Sequence, residues 1–189
     1  MEALTMEPQA HATAATGGTG RVDTSQQYLR LAVGSEMYAV SIDSVREILE
    51  VGRLTALPMT PDFVHGVMNL RGSVVPVVDL SARFGRNKTD VSRRTCIVII
   101  EVQGGDESKL DVGVVVDSVS EVLEIPRGEI EPPPAFGAKI RVDFIHGMGK
   151  VAGKFVIILD ADKVLSVGDL SMLVQAAGTM PPSQTEAAA

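Results

Sequence analysis

Residues 63–80 read FVHGVMNLRGSVVPVVDL, and residues 144–160 read FIHGMGKVAGKFVIILD. Phe63, His65, Gly66, Gly72, Val75 and Asp79 each reappear 81 positions on, as Phe144, His146, Gly147, Gly153, Val156 and Asp160. Upstream, DSVREILE at 43–50 reappears as DSVSEVLE at 117–124, an offset of 74. The seven extra residues of the second copy fall around EPPPAFGAK, a loop. Chance would give about one identity in such a window, so the chain carries an internal duplication. Two copies of roughly 70 residues predict two similar lobes, each marginal alone, which must share a hydrophobic core.

Within the copies the chain reads as short strands punctuated by glycine. QYLRLAVG and EMYAVSI flank Gly34-Ser35, GVMNL and SVVPVVDL flank Arg71-Gly72, and TCIVIIEV and KLDVGVVVD flank a Gly-Gly-Asp-Glu-Ser loop. Each set predicts a hairpin. Pro76 lacks a backbone donor, so its strand belongs at an edge or leaves that position unpaired. KFVIILD predicts a further strand. Ser41 or Asp43 is expected to cap a helical turn through Val45 to Leu49, with Asp43 suited to the positive end of the helix dipole. Residues 161–177 read as helical, broken near Gly168, with Asp169 as a second cap. Few helices and many Val/Ile-rich runs predict a mainly β protein made of small barrels. The expected order is a disordered tail over 1–25, a first lobe over about 26–92, a second over about 93–165, a helix over 166–178 and a flexible tail over 179–189. Both tails are poor in large apolar side chains and cannot offset the entropy of ordering.

The 189 residues are 45% hydrophobic and carry a net charge of −7. One ordinary domain or two fused small lobes fit that length and composition. No basic footprint is present, which argues against nucleic acid and against an anionic membrane surface as partners. The longest apolar runs, around CIVII and FVIIL, are too short to span a bilayer. MEALTMEPQA lacks the features of a signal peptide. One cysteine, Cys96, leaves no internal disulfide, and the expected location is a reducing cytoplasm.

Catalytic chemistry is not evident. Neither a GxSxG elbow nor a GxxxxGK phosphate loop occurs. Of three histidines, His11 lies in the tail and His65 and His146 are twins with packing or capping as their simplest role. Nothing resembles zinc spacing, so neither metal nor cofactor is expected. Glu47, Glu50, Glu121 and Glu124 recur in both copies, which favours solvated or capping roles over acid–base work. Cys96 opens an apolar strand and is expected to be buried and inert.

The duplication also works as a control. Residues kept in both copies are explained by the fold; Gly66/Gly147 and Gly72/Gly153 are expected to permit positive φ or close approach. Where the copies differ, the fold does not demand the residue. Arg71 stands opposite Ala152, Asn69 opposite Lys150, and Pro76 opposite Ile157. An arginine beside apolar flanks can anchor a partner through its planar fork and its stem, or it can be a solvated hairpin residue. The repeat leaves both readings open.

FVHGVMNLRGSVVPVVDL, preceded by YAVSIDSVREIL and followed by DVGVVVDSVSEVLEI, resembles the CheW family, adaptors that couple chemoreceptors to the histidine kinase CheA in bacterial chemotaxis. The resemblance covers about residues 25–170. The run G-x-x-N-L-R-G-x-x-x-P-V-x-D-L is shared with the regulatory domain of CheA and with CheV adaptors. A chain of this length lacks room for a kinase or receiver domain, so the stand-alone adaptor is expected. The resemblance implies two five-stranded SH3-like β-barrels sharing a core, no enzymatic activity and no cofactor. It implies two partners, a chemoreceptor cytoplasmic hairpin tip docking between the barrels by helix-in-groove recognition and a CheA-type kinase regulatory domain. Val45, Glu47, Gly66, Asn69, Arg71 and Gly72 are implied on the receptor side, with Arg71 expected to pair with Glu47. The kinase contact is expected at Val112, Val114, Val116, Val119 and Leu123. A cytoplasmic protein recruited to membrane-associated receptor arrays follows. A non-flagellar chemosensory pathway, such as surface motility, is a variant of this reading. The rivals are a small-molecule-binding enzyme with a deep pocket of pKa-perturbed groups and a structural oligomer built through barrel edges.

Overall fold

The computed structural model describes residues 24–104, 108–135 and 137–166. The chain runs β1 (Ser25–Val33), β2 (Glu36–Ser41), β3 (Val45–Glu50), β4 (Val64–Leu70), β5 (Ser73–Asp79), α1 (Leu80–Arg83), β6 (Cys96–Gln103), β7 (Lys109–Val116), β8 (Ser118–Pro126), β9 (Ile130–Glu131), β10 (Ile145–Val151), β11 (Lys154–Leu159) and α2 (Ala161–Val164). The tail expected before β1, the C-terminal helix and the final tail lie outside the described residues, except that Ser25 already opens β1 and Ser166 ends the described chain.

Local turn chemistry sets the hairpins. Gly34 takes φ +62 at the β1–β2 turn. Arg71 and Gly72 take φ +52 and +88 between the paired residues Leu70 and Ser73. Ala152 and Gly153 take +48 and +76 between Val151 and Lys154. Positive φ at both central positions is the primed geometry that matches strand twist. Pro76 follows the second of the two expectations. Its partner Val67 turns its N–H and C=O to Thr55, at 2.8 and 2.9 Å, so no ladder bond to Pro76 is needed. Its other flank is free because the parallel pairing of β5 with β7 starts at Val77.

One sheet has the order β8-β1-β2-β11-β10-β9 and the other β3-β6-β7-β5-β4. By the repeat, β1 to β5 correspond to β6, β7, β8, β10 and β11. One barrel therefore combines β1 and β2 of the first copy with β8, β10 and β11 of the second, plus the short β9, and the other combines β3, β4 and β5 of the first copy with β6 and β7 of the second. The seams between copies are antiparallel at β1–β8 and β3–β6, and parallel at β2–β11 and β5–β7. This corrects the expected lobe boundary near residue 92: β1 and β2 belong with β8–β11, and β6 and β7 with β3–β5. The connections explain the exchange. Only Asp117 separates β7 from β8, and only a 3-10 turn at Ile42–Ser44 separates β2 from β3. A one-residue link is too short for a hairpin, so the chain crosses to the other sheet.

Residues 45–49, expected as a helical turn, are strand β3, paired in register from Val45↔Ile100 to Glu50↔Cys96. The helical part stops at Ile42–Ser44, and Ser41 makes no capping bond through its side chain. Ladder pairing overrides a short, ambiguous local pattern. Asp79 and Asp160 cap α1 and α2, accepting bonds from Ala82 N and Lys163 N.

Buried side chains fall into three groups. Tyr28, Ala39, Leu123, Ile125, Val156 and Ile158 fill one barrel. Val75, Val77, Ile97, Ile99 and Val115 fill the other. The largest group, including Leu31, Tyr38, Val98, Val114, Phe144 and Leu159, lies between the barrels and draws on both sheets. Among the described residues no helix is long and apolar enough to cross a membrane.

Candidate functional site

The turn residue Arg71 reaches back across the end of its barrel to β3. Its Nη2 donates to Glu47 Oε2 at 3.0 Å, the pairing that the family resemblance implied. The arginine is 78% exposed and the glutamate 22%, so the pair lies at a rim, with the carboxylate as the sheltered partner. Next to it, Asn69 Oδ1 accepts from Gly72 N at 3.0 Å and ties the turn to the strand below. Lys150, which stands in that slot in the second copy, has no acceptor to offer.

Gly66 lies further down β4, at φ +145. A β-carbon there would come 2.5 Å from Thr55 O. That close approach lets Thr55 and Val67 exchange two backbone bonds and close the barrel. Gly147 also stands against backbone: a β-carbon would come 3.0 Å from Glu131 O and 2.7 Å from Ile130 Cγ2. Both glycines thus serve the fold first. Val45 is half-buried against the shared core at the start of β3, and a bulge separates it from Glu47. Of the six residues expected on the receptor side, Glu47, Asn69, Arg71 and Gly72 are joined by direct bonds. Gly66 shapes the strand beneath, and Val45 makes no bond to the hairpin.

The residues expected at the kinase contact are placed otherwise. Val112 and Val116 are 0% exposed and Val114 1%. All three point into the core between the barrels. Leu123 belongs to the interior of one barrel, and Val119 is partly buried against the shared core. The expectation is corrected for the three β7 valines: β7 is central in its sheet and covered on both faces, so alternation along it separates two cores instead of core from solvent.

Apolar residues that do face solvent were not singled out from the sequence. Ile48 and Val74 are 46% and 42% exposed, and Val122 and Phe155 are 47% and 54% exposed. Ile48 and Val122 share one repeat position, and Val74 and Phe155 share another. The duplication held the signal: at each of these two positions an apolar residue is kept in both copies.

The shifted acid–base groups arise from packing. Burial raises the Tyr28 and Tyr38 phenols and the half-buried Cys96 thiol, and a bond from Lys139 lowers Glu36. The histidine twins have diverged. His65 has its Nδ1 buried, 3.6 Å from Asp79 Oδ2, whereas His146 is exposed. No cluster of metal-binding side chains occurs among the described residues.

Two small barrels with exchanged strands, a bonded polar rim and matched apolar residues open to solvent define a duplicated β-barrel docking module. Residues 27–168 match the family model for the CheW-like domain. A chemotaxis protein CheW from Klebsiella aerogenes is 31% identical over 148 residues, 78% of this chain and 86% of that protein. One from Rhizobium meliloti is 32% identical over 139 residues, 74% of this chain and 86% of that protein. The crystal structure of the scaffolding protein TtCheW from Thermoanaerobacter tengcongensis superposes with a TM-score of 0.68 at 32% identity, covering 77% of this chain and 95% of that one. The chain belongs to the CheW-like family.

Proposed function

We propose that this protein is a non-enzymatic adaptor that couples chemoreceptors to the regulatory domain of a CheA-type histidine kinase in a bacterial chemosensory pathway, working on the cytoplasmic side of receptor arrays. The observation that carries the receptor side is the Arg71–Glu47 pair, held on a turn whose twin has alanine. A residue that the duplicated fold dispenses with, yet fixes by a bond, is suited to recognition. Glu47, Asn69, Arg71 and Gly72 form the receptor-facing rim, with Val45 and Gly66 shaping the strands behind it. Since the β7 valines are core, the kinase contact falls on exposed apolar strand residues of the barrel that contains β1, β2 and β8–β11, Val122 and Phe155. Large apolar side chains held open to solvent are what a docking partner covers.

The test is a pull-down with two baits, a chemoreceptor cytoplasmic fragment and a kinase regulatory domain. Arg71→Ala is expected to lose the receptor fragment and keep the kinase domain, and Val122→Ser/Phe155→Ser the reverse. A buried arginine anchor is worth about 2 kcal/mol or more, roughly thirtyfold in affinity. Wild-type protein binding neither bait would defeat the adaptor reading for that pathway's partners. Unchanged receptor binding by Arg71→Ala would defeat the rim assignment alone.

A further inference from the structure

The segment between α1 and β6 reads FGRNKTDVSRRT over residues 84–95, four cations and one carboxylate in a chain of net charge −7. Arg86 is used internally, donating to Val33 O and to the Tyr38 hydroxyl, each at 3.2 Å. Lys88, Arg93 and Arg94 are exposed, and their side chains enter no ion pair or hydrogen bond among the described residues. Between them stands Val91, 59% exposed.

The segment is nonetheless pinned at two buried threonines. Thr89 is 8% exposed, and its N–H and hydroxyl donate to the buried Asp79 carboxylate at 2.8 and 3.1 Å. Thr95 is 5% exposed; its Oγ1 accepts from Ser92 N at 2.8 Å, and its own N–H donates to Ser92 O at 3.2 Å. Arg94 N donates to Ser92 Oγ at 3.3 Å. The backbone that presents the three free cations is thus ordered before any partner arrives, which reduces the entropy lost on binding.

We propose that residues 88–94 are a docking surface for an acidic segment of a partner protein, with Lys88, Arg93 and Arg94 meeting carboxylates and Val91 covered by an apolar side chain. Three cations are few for a nucleic acid or lipid surface, whose binding rests on many phosphate contacts. An exposed valine at the centre of the set is a feature that a protein partner satisfies and a phosphate backbone does not.

The test is fluorescence anisotropy of the full chain with a labelled peptide of alternating glutamate and leucine. Binding is expected to weaken steeply with salt. Lys88→Glu/Arg93→Glu/Arg94→Glu should bind at least about tenfold more weakly, and Val91→Ser several-fold more weakly. Arg53→Glu, a change at another exposed cation, should bind as wild type does. The milder Lys88→Gln/Arg94→Gln guards against misfolding, and thermal melts should show all variants folded. Absence of peptide binding at low salt, or equal binding by the triple variant, overturns the proposal. So does tighter binding to phosphatidylserine vesicles or to a DNA duplex than to the peptide.

Discussion

Replacing Asp79 by alanine is expected to cost several times what the same change costs at Asp160. The two aspartates hold matched positions in the duplication, and each caps a one-turn helix. Their surroundings differ. Asp79 is 0% exposed, and its carboxylate accepts from Ala82 N, Thr89 N and Thr89 Oγ1 at 3.1, 2.8 and 3.1 Å. Alanine leaves all three donors without a partner. At about 1–3 kcal/mol for each buried polar group left unpaired, partly relieved by entering water, the loss is about 3–5 kcal/mol. Asp160 accepts from Lys163 N at 3.2 Å and pairs with Lys163 Nζ at 3.2 Å, with its side chain 21% exposed. Its removal is the loss of a helix cap, about 1 kcal/mol, plus a few tenths for a surface pair. The chain has no tryptophan, so thermal unfolding followed by circular dichroism is the suitable assay. For a domain of this size the melting temperature should fall by about 10 °C for Asp79→Ala and about 3 °C for Asp160→Ala. Asp79→Asn keeps one acceptor oxygen and should fall between. Equal losses at the two sites would refute the reasoning, because local sequence would then outweigh the Thr89 anchor.

Three further outcomes are expected. Gly66→Ala combines a positive φ with a β-carbon 2.5 Å from Thr55 O and should destabilise by about 2–4 kcal/mol, against about 1 kcal/mol for Gly72→Ala, where nothing lies within 4 Å; thermal melts would show whether the two differ. Polypeptides 24–92 and 93–166 should each lack strand signal in circular dichroism and regain it on mixing, since every barrel needs strands of both; a folded 24–92 alone would contradict the strand exchange. Both tyrosines are held protonated by burial, so the folded state binds the phenolic protons more tightly than the unfolded one. Their contribution is complete below pH of about 10 and is lost as pH rises through the folded values, so absorbance at 295 nm should climb together with unfolding; ionisation with the fold intact would count against it.

Much of this protein is legible in its residues because the interactions concerned are local. The three hairpins predicted from the sequence follow from short Gly-containing turns between β-branched runs; the caps at Asp79 and Asp160 were not read from it, because the helices they cap are only one turn long. The duplication marked Arg71 as dispensable to the fold, and it stands paired with Glu47, 24 residues away in the chain. Residues 45–49 misled because five residues of mixed pattern fit a helical turn as well as a strand, and only pairing with β6 separates the two.

The sequence by itself determined the duplication, the mainly β class and the turns, all of which rest on contacts between near neighbours. Tertiary structure alone decided which copy completes which barrel. Val- and Ile-rich strands carry no label for their partner, and the choice came from the single residue between β7 and β8 and the tight turn between β2 and β3. It decided as well that Val112, Val114 and Val116 are core, because a strand covered on both faces has no solvent side for alternation to reveal. Asp79 and Asp160 share one local motif, and only the approach of Thr89 makes the first a buried anchor and leaves the second at the surface.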